Sequence, residues 1–351
     1  MLLKRLVNDN VPELKLNNLQ KKMKEQVSKK LDAGIYQFEN IQCPVCDQKN
    51  IECIGEKDRY GLFYTTNICT ECGLVFTSPR MNQDSYNEFY NTEYRKLYVG
   101  KETATDSFFN HQKDKGERIY TYLNENDLIK NKSSFVLEIG CGAGGILDVF
   151  KKNGHKVKGT DLGQEYVEYG IKKHGLDLEV GFLSDINLKE QPDIIIYSHV
   201  VEHILDVNKE LLTIKNAISK DTIVYIEVPG LKEIHINYES NILTYFQNAH
   251  TFHFTLESLT NLFSKNGFEL ICGNQFVQST FKLANSTTSI KSDYSAVKAY
   301  IERTEKRYIQ YLLPVRRLKH YSRQFVTNVL DLTKLRPLAI QIRDRLNHKI
   351  H

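Results

Sequence analysis

The chain lacks a long hydrophobic run: none of its 351 residues fall in a window of roughly 20 uninterrupted apolar positions, which a membrane-spanning helix needs. The first residues interrupt their apolar run with Lys4 and Arg5 and are followed by no small-residue cleavage site, so they do not resemble a signal peptide. Hydrophobic content of 41% and charged content of 26% are ordinary for a globular protein. We therefore expect a cytoplasmic protein with one large domain and appendages, or with two domains.

The net charge of +4 is too small to indicate a partner by itself, but it is unevenly distributed. Residues 291–351 carry 14 Lys and Arg against 5 Asp and Glu, while the rest of the chain is mildly acidic. Apolar positions are spaced through the same basic segment. Such a helix can lie on an anionic membrane surface, which would place the protein at the inner face of the membrane. It can equally pair with another chain or pack on the body of the protein; the oligomeric state is left open.

Cysteine is scarce and odd in number, with seven residues, so a framework that pairs every cysteine is excluded. Four of the seven form two C-x-x-C pairs, CPVC and CTEC, which predict a structural zinc ion held by Cys43, Cys46, Cys69 and Cys72. A degenerate site that has lost its metal is the alternative. Acidic residues outnumber basic ones over residues 41–80, so this segment is not a nucleic-acid patch.

From residue 134 onward, apolar runs alternate with helical stretches. Strands are predicted to begin near residues 134, 156, 176, 193 and 222, which indicates a parallel sheet covered by helices on both faces. A further helix is expected over residues 255–266, with Thr255 as its N-cap. Two extended segments, FELICG and QFVQSTFKLA, then follow with no helix between them, so we expect the sheet to end in an antiparallel hairpin.

The turn after the first of these strands, in FVLEIGCGAGG, fits two glycine fingerprints. One is the dinucleotide pattern G-x-G-x-x-G, with Gly145 as its last glycine; the other is E-x-G-x-G, formed by Glu138, Gly140, Gly142 and Gly144. Asp161, 21 residues after Gly140, is placed to accept the ribose hydroxyls of either cofactor. Glu138 would repel a pyrophosphate but favours a cationic sulfonium, so the sequence favours S-adenosylmethionine. Gly145 is then expected to let the first helix lie close to the sheet.

Five segments, VLEIGCGAGG, GTDLG, DIIIYSHVVEHI, IVYIEVPG and HFTLESLTNLFSKNGFEL, match class I S-adenosylmethionine-dependent methyltransferases in order and spacing. Residues 134–283 resemble that family. The resemblance implies an α/β, Rossmann-like seven-stranded sheet. It also implies that the glycine turn carries the methionyl group and that Asp161 holds the ribose. The remaining candidates for cofactor contacts are Leu162, Ser184, Asp185 and Ser198.

The zinc knuckle, followed by GLVFTSPR and an aromatic stretch, resembles a narrower bacterial group that modifies sugars and polysaccharides, including nucleotide-sugar C-methyltransferases. In that group a tyrosine after the knuckle reaches the cofactor, and Tyr90 or Tyr94 would be its counterpart here; packing within a lid helix is the alternative. The expected organisation is a helical segment (1–40), the zinc knuckle (41–80), a helical lid or linker (81–130), the methyltransferase domain (131–285) and a basic helical extension (286–351).

Histidines follow the fourth strand and precede the helix at 255–266. His199 ends the strand and could serve as a base with a pKa near neutral, while Glu202 and His203 are expected to organise the helix start. His250 and His253 are the other candidate bases.

The residue that precedes His250 bears on which atom of the acceptor is methylated. The C-methyltransferases of the resembling group carry a Glu-His pair in this loop, whereas this chain has Ala249 before His250. That departure favours a sugar hydroxyl as the acceptor, in a nucleotide-linked or polymer-linked glycan. Base-amine methylation is disfavoured because no Asn/Asp-Pro-Pro-aromatic stretch follows the fourth strand. A nucleotide-sugar C-methyltransferase, an RNA methyltransferase and a non-catalytic cofactor-binding protein remain the alternatives.

Overall fold

The N-terminal part of the chain forms one long helix, short antiparallel strands and a run of helices. The computed structural model describes residues 2–100, 105–284, 289–312 and 318. Asn17 caps the first long helix by accepting from the Gln20 N–H, which is why the predicted surface helix starts only there. The elements are a 3-10 turn (Lys4–Leu6), α1 (Asn18–Asp32), β1 (Phe38–Glu39), β2 (Ile51–Lys57), β3 (Phe63–Cys69), β4 (Val75–Thr77), β5 (Arg80–Met81), α2 (Gln83–Phe89), a π-helical turn (Tyr90–Tyr94), α3 (Arg95–Val99) and α4 (Asp106–Glu125).

The second part alternates strands and helices as the sequence predicts. Thr255 caps the helix at 256–265 through its side chain, which confirms its predicted role. The elements are β6 (Phe135–Ile139), α5 (Gly145–Lys152), β7 (Lys156–Asp161), α6 (Gln164–His174), β8 (Leu178–Val180), β9 (Ile194–Ser198), α7 (Val207–Ala217), β10 (Ile223–Glu227), α8 (Ile234–Asn237), α9 (Ile242–Tyr245), β11 (Phe252–His253), α10 (Leu256–Lys265), β12 (Phe268–Gly273), β13 (Gln278–Leu283) and α11 (Tyr294–Tyr311), with 3-10 turns at Leu183–Asp185, Val201–His203 and Leu231–Glu233.

The central sheet has seven strands in the order β12-β13-β10-β9-β6-β7-β8. The five strands from β10 to β8 are parallel, whereas β13 runs antiparallel to both β10 and β12. Every residue of β6 is buried because apolar clusters cover both faces of the sheet. This confirms the predicted α/β, Rossmann-like fold with its terminal hairpin, and it places the loops after β6, β7 and β9 at one edge, where open α/β sheets bind ligands.

A second sheet joins the cysteine-rich segment to strand β11, which lies between α9 and α10. Its order is β11-β4-β3-β2, and β11 pairs antiparallel with β4 through Phe252 and Phe76. Strand β11 is only two residues long and was not predicted from the sequence. The pairing fixes the loop that carries His250 against the cysteine-rich segment.

Helix α11 begins the basic C-terminal segment and packs on the body of the protein. Val297 and Ile301 are fully buried, and Lys298 forms an ion pair with Glu52 at 2.9 Å. Of the three arrangements considered for the basic segment, helix α11 shows the third, packing on the body of the protein. Most of the remaining extension, residues 313–351 apart from Leu318, lies outside the described residues. In the part of the chain that the structure describes, no helix has the length and apolar character required to cross a membrane.

Candidate functional site

The glycine turn after β6 has a backbone that favours glycine at three positions. Gly140, Gly142 and Gly144 have φ values of 71°, 55° and 80°, in the left-handed region. A Cβ atom on Gly140 would also lie 2.4 Å from Cγ2 of Val200. The first N–H groups of the turn donate to the carbonyl of Thr160 on β7, at 2.7 Å from Gly140 and 2.9 Å from Cys141.

Gln112 of α4 closes the other side of the turn. Its amide oxygen accepts from the N–H groups of Ala143 (3.2 Å) and Gly145 (3.4 Å), and its Nε2 donates to the carbonyl of Cys141 at 2.9 Å. A Cβ atom on Gly145 would lie 2.5 Å from the carbonyl oxygen of Phe109. The expectation that Gly145 serves contact with the sheet is therefore corrected, since its close neighbour is helix α4.

Glu138 occupies the position that distinguishes the two glycine fingerprints. Its side chain is 1% exposed, and burial, followed by the nearby Asp161, raises its pKa well above the usual value. The N–H of Leu147, in the first turn of α5, opposes this rise in pKa. A carboxylate therefore faces the helix N-terminus at which a dinucleotide would place its pyrophosphate, and the backbone donors of the turn are already engaged.

Asp161 ends β7 and receives three hydrogen bonds. Its Oδ2 accepts from the N–H of Gly142 at 2.9 Å, and its Oδ1 accepts from the N–H of Gly163 at 2.6 Å and from Nη2 of Arg95 at 2.9 Å. The guanidinium of Arg95 also lies 4.1 Å from the ring centroid of Tyr166. The carboxylate that was predicted to hold a ribose is thus oriented by the glycine turn and reached by the segment before α4.

The candidate adenine-side residues lie at the ends of β7 and β8. Leu162 and Phe182 are each 53% exposed, which leaves apolar surface where a planar base could pack. Asp185 accepts from the N–H of Phe182 at 2.9 Å, and its other oxygen accepts from the Ser184 hydroxyl at 3.2 Å. Ser198, at the end of β9, donates to Glu227 at 3.4 Å. Phe182 was not among the sequence candidates.

Glu202 lies at the centre of a cluster of histidines beyond the end of β9. Its Oε1 is 3.5 Å from Nδ1 of His199, 3.8 Å from Nε2 of His203 and 4.0 Å from Nε2 of His250. The side chain is 1% exposed, and among the described residues neither of its oxygens has a hydrogen-bond partner. The fold thus brings His250 together with the residues after β9, although about 50 residues separate them in sequence.

Tyrosines from the lid segment cover this cluster. The hydroxyl of Tyr90 is 2.5 Å from Nδ1 of His203, and the ring of Tyr94 is stacked between Tyr90 and Tyr98, with centroids 4.3 Å and 5.7 Å away. Tyr94 also meets the His203 ring edge to face at 5.8 Å. The two tyrosine candidates therefore contact the histidine cluster, and the contact of Tyr94 with a cofactor stays a prediction.

His199 has an unusual backbone and a shifted pKa. Its φ of 57° lies in the left-handed region, and its N–H donates to the carbonyl of Glu227 at 2.7 Å. Burial, followed by repulsion from Lys115, lowers its pKa to about 4, whereas the sequence predicted a base with a pKa near neutral. The ring is therefore neutral at pH 7 and able to accept a proton, although weakly basic.

His253 is enclosed in the protein core. It is 1% exposed, its Nε2 is 2.8 Å from the hydroxyl of Tyr64, and its ring packs against Tyr245 and Phe246. Burial alone lowers its pKa to about 3. This environment favours a structural role over the base that the sequence suggested.

The four cysteines of the two C-x-x-C pairs converge, as their spacing predicts. All four sulfur atoms lie within 4.8 Å of one another, with Cys43 and Cys72 at 3.4 Å and Cys46 and Cys69 also at 3.4 Å. A tetrahedral zinc ion with bonds of about 2.3 Å needs sulfurs about 3.8 Å apart, so the donor set fits the metal. Cys53, in β2, lies outside this cluster.

Comparison with known families agrees with the geometry. Residues 109–272 match the family model described as a methyltransferase domain. The chain therefore contains a class I methyltransferase domain. The protein is an enzyme of the transferase class, and the cofactor of this class is S-adenosylmethionine. A comparison with curated proteins gives no match.

Three solved structures with a similar arrangement share little sequence with this chain. A Burkholderia thailandensis 1,6-didemethyltoxoflavin-N1-methyltransferase is 15% identical, with a TM-score of 0.42 over 61% of this chain and 96% of its own. A Synechocystis magnesium protoporphyrin IX methyltransferase is 14% identical, with a TM-score of 0.40 over 57% and 98%. A Clostridium acetobutylicum S-adenosylmethionine-dependent methyltransferase is 14% identical, with a TM-score of 0.39 over 57% and 99%. Similarity at this level does not identify an acceptor.

Proposed function

We propose that the protein transfers the methyl group of S-adenosylmethionine to a hydroxyl of a sugar in a nucleotide-linked or polymer-linked glycan. The observation that carries the proposal is the position of the histidine and glutamate cluster. It lies beyond β9, at the same edge of the sheet as the glycine turn, and tyrosine rings cover it. Aromatic rings can pack on the apolar face of a sugar ring while the polar groups beside them bond its hydroxyls, so the cluster is compatible with a sugar acceptor.

The cofactor residues follow from the glycine turn and the strand ends. Gly140, Gly142 and Gly144 let the turn adopt its left-handed backbone beside the proposed position of the methionyl part, and Asp161 has acceptor capacity left for a ribose hydroxyl beside its three protein donors. Burial raises the pKa of Glu138 in the protein without ligand, and a bound sulfonium would favour the ionised form of this carboxyl. Leu162 is the sequence candidate for the adenine face, and Phe182 joins it from the structure. When bound, S-adenosylmethionine supplies an electrophilic methyl group.

Methylation of a hydroxyl releases one proton, and the chain must provide its acceptor. His199 is the best-placed histidine because its side chain is 34% exposed, while His250 and His253 are enclosed. Glu202 and Glu227 lie on either side of the ring, at 3.5 Å and 3.9 Å, and would stabilise its protonated form. The proton would thus pass from the acceptor oxygen to a ring nitrogen of His199 as that oxygen takes the methyl group, while the methyl–sulfur bond breaks and S-adenosylhomocysteine leaves.

The test is transfer of isotopically labelled methyl groups to defined acceptors. Nucleotide sugars, a surface polysaccharide fraction and RNA would be incubated with the full-length protein and labelled S-adenosylmethionine, and the products analysed by mass spectrometry. Label in an O-methyl sugar is the expected result, with His199→Gln reducing the rate at least about a hundredfold. Label in RNA alone, or no cofactor binding by calorimetry, would refute the proposal.

One observation favours a second candidate, carbon methylation next to a sugar ketone. The chain lacks a glutamate directly before His250, but Oε1 of Glu202 lies 4.0 Å from Nε2 of His250. A Glu-His contact is therefore present in space although it is absent from the local sequence. A methyl group that resists ether cleavage in the labelled product would identify this activity in place of O-methylation.

For the cysteine cluster we propose one structural zinc ion, held by Cys43, Cys46, Cys69 and Cys72. The four sulfurs converge, and the backbone of both C-x-x-C turns is closed by N–H groups, from Asp47 to the Cys43 carbonyl at 2.9 Å and from Gly73 to the Cys69 carbonyl at 3.0 Å. The metal would stabilise the fold, with no part in methyl transfer.

A further inference from the structure

We propose that Glu202, His203 and His250 form a binding site for one divalent cation, separate from the cysteine cluster. The inference deepens the proposed function and rests on it in one respect: the ion would hold the acceptor hydroxyl. Whether the cation site exists can be tested separately, because cation binding can be measured in the absence of any methyl acceptor.

The spacing of the three donor groups suits a metal ion. Their ligand atoms lie within 4.8 Å of one another, with Oε1 of Glu202 at 3.8 Å from His203 and 4.0 Å from His250. Bonds of about 2.0–2.2 Å allow two ligands of one ion to be at most about 4.4 Å apart. Both distances from Glu202 fall within that limit, so an ion needs only small side-chain movements.

The carboxylate of Glu202 needs a partner that the described residues do not provide. The side chain is 1% exposed, and both of its oxygens are inaccessible to solvent and have no hydrogen-bond partner among the described residues. A buried charge without a partner is costly. Lys115 is the basic side chain that interacts with Glu202, and it interacts with Glu227 and Glu138 as well, whereas Arg59 and Arg118 act on the histidines. A divalent cation would satisfy these carboxylates better than one lysine shared among them.

The ring nitrogens are oriented as metal ligands are. Nδ1 of His203 lies 3.0 Å from the carbonyl oxygen of Ala249 and 2.5 Å from the hydroxyl of Tyr90. The carbonyl can only accept and the hydroxyl can accept, so the tautomer with its proton on Nδ1 satisfies both contacts and leaves the Nε2 lone pair towards Glu202. Nε2 of His250 is in close contact with the side-chain amide nitrogen of Gln247, which donates to it. That nitrogen therefore also presents a lone pair, which a cation could take in place of the amide.

Two imidazoles and one carboxylate form a donor set for Mn²⁺, Fe²⁺ or Zn²⁺ with coordination positions left open. An acceptor hydroxyl in an open position would lose its proton more readily, because the cation stabilises the alkoxide. His199 is not needed as a ligand in this arrangement and remains beside the site, with Nδ1 at 3.5 Å from Glu202. The cation would therefore make the acceptor hydroxyl more acidic, while Glu227, 3.9 Å from Nε2 of His199, would remain to stabilise the protonated ring.

The experiment uses Mn²⁺ with the full-length protein, because thiolate ligands disfavour this ion and the cysteine cluster will not compete for it. Electron paramagnetic resonance measures free Mn²⁺ during titration. We expect one ion per chain, and at least a tenfold weaker affinity in Glu202→Gln and in His250→Gln. Glu233→Gln is the matched control, since Glu233 is also buried with an unpaired oxygen but lies outside the cluster. Circular dichroism shows whether each variant is folded.

The outcomes separate this inference from the proposed function. Absence of stoichiometric Mn²⁺ binding, or binding unchanged in folded Glu202→Gln and His250→Gln, would overturn the cation site even if sugar methylation is found. Loss of binding in those variants, with Glu233→Gln binding like the wild type, would support it even if no sugar is methylated. If the cation binds as expected but no sugar is methylated, the proposed function is wrong and the cation site is still supported.

Discussion

Asp161 shows how much one side chain contributes to the site. Its carboxylate accepts from Gly142, Gly163 and Arg95, so it joins the glycine turn, the start of α6 and the lid segment before any ligand binds. A ribose bound where we propose would share this carboxylate with Arg95, which donates to Oδ1. We therefore expect the lid segment to respond to cofactor binding.

Substitution Asp161→Ala is expected to weaken S-adenosylmethionine binding by about 2 kcal/mol or more, or about thirtyfold, since charge-assisted hydrogen bonds to the ribose are lost. Isothermal titration calorimetry gives the affinity. Asp177→Ala is the control, because Asp177 is an exposed carboxylate whose neighbour is Lys158 at 3.6 Å. Unchanged affinity in folded Asp161→Ala would show that the ribose lies elsewhere.

Substitution of His253 can distinguish a structural role of this residue from a catalytic one. The groups facing its ring are the Tyr64 hydroxyl, Tyr245 and His250, and burial lowers its pKa to about 3. Between about pH 6.5 and 3 the unfolded chain binds a proton here that the folded chain does not. Its contribution to stability is therefore present above pH 6.5 and is lost as the pH falls through this window, by up to about 1.4 kcal/mol per pH unit.

In His253→Gln this dependence should disappear, so the free energy of unfolding should fall less steeply with decreasing pH than in the wild type. Denaturant titrations at several pH values measure the slope. Methyl transfer by the folded variant is expected to stay within a few-fold of the wild-type rate. A variant with wild-type stability and pH slope but no turnover would instead assign His253 to the reaction.

At this scale the sequence predicted residues that belong to a recognisable pattern and missed the others. Glu138 and Asp161 were found because glycine spacing and strand ends locate them. Gln112, Arg95 and Phe182 were missed, since each acts through a contact made by the tertiary fold and lies in no motif. The position of these side chains near the site can be recognised only in the folded structure, where the lid segment packs beside the sheet.

Among the helices and strands, α4 holds the glycine turn after β6 most directly. It reaches the turn through Gln112, and it meets α5 where both helices have glycine. A Cβ atom on Gly116 would lie 2.9 Å from the Cα of Ile146, and one on Gly145 would lie 2.5 Å from the Phe109 carbonyl. The two glycines let α4 approach closely enough for Gln112 to bond the turn.

Substitution Gly145→Ala should push α4 outward, because the new methyl group would contact backbone atoms that cannot rotate away. We expect a loss of about 1–3 kcal/mol in stability together with weaker S-adenosylmethionine binding. Gly175→Ala is the control: its Cβ meets only Lys151 Nζ, at 4.0 Å, so its cost comes from a φ of 58° alone. Thermal unfolding and calorimetry should show both variants destabilised, but only Gly145→Ala impaired in binding; equal binding would contradict the role of α4.

The strands and helices of the methyltransferase domain were predictable because hydrophobic periodicity and capping residues mark them locally. Strand β11 was not, since two residues carry no periodicity and their extended form depends on pairing with β4. The same pairing explains why the candidate site could be predicted only in part. The sequence located His199 and His250 separately, but not the shared contact with Glu202.

At the scale of the whole molecule, the cysteine-rich segment and the methyltransferase domain are joined at several points. Strand β11 completes the sheet of the cysteine-rich segment, and Lys265 of α10 donates to the Pro44 carbonyl at 2.9 Å within the first C-x-x-C turn. The Cys72 carbonyl accepts from the N–H of Asp293 at 3.1 Å, just before α11. Loss of order around the cysteines should therefore reach the loop that carries His250.

This coupling gives a test of the proposed zinc ion. Cys46→Ser should lower the zinc content, measured by elemental analysis, and reduce stability by several kcal/mol, because metal binding free energy adds to folding free energy. Cys53→Ser is the matched control, since Cys53 is also partly buried but outside the cluster. Since the two parts share a sheet, calorimetric scans should show one transition that moves to lower temperature in Cys46→Ser. A zinc-free wild type, or a zinc-depleted variant that unfolds at the wild-type temperature, would show that the metal does not hold the two parts together.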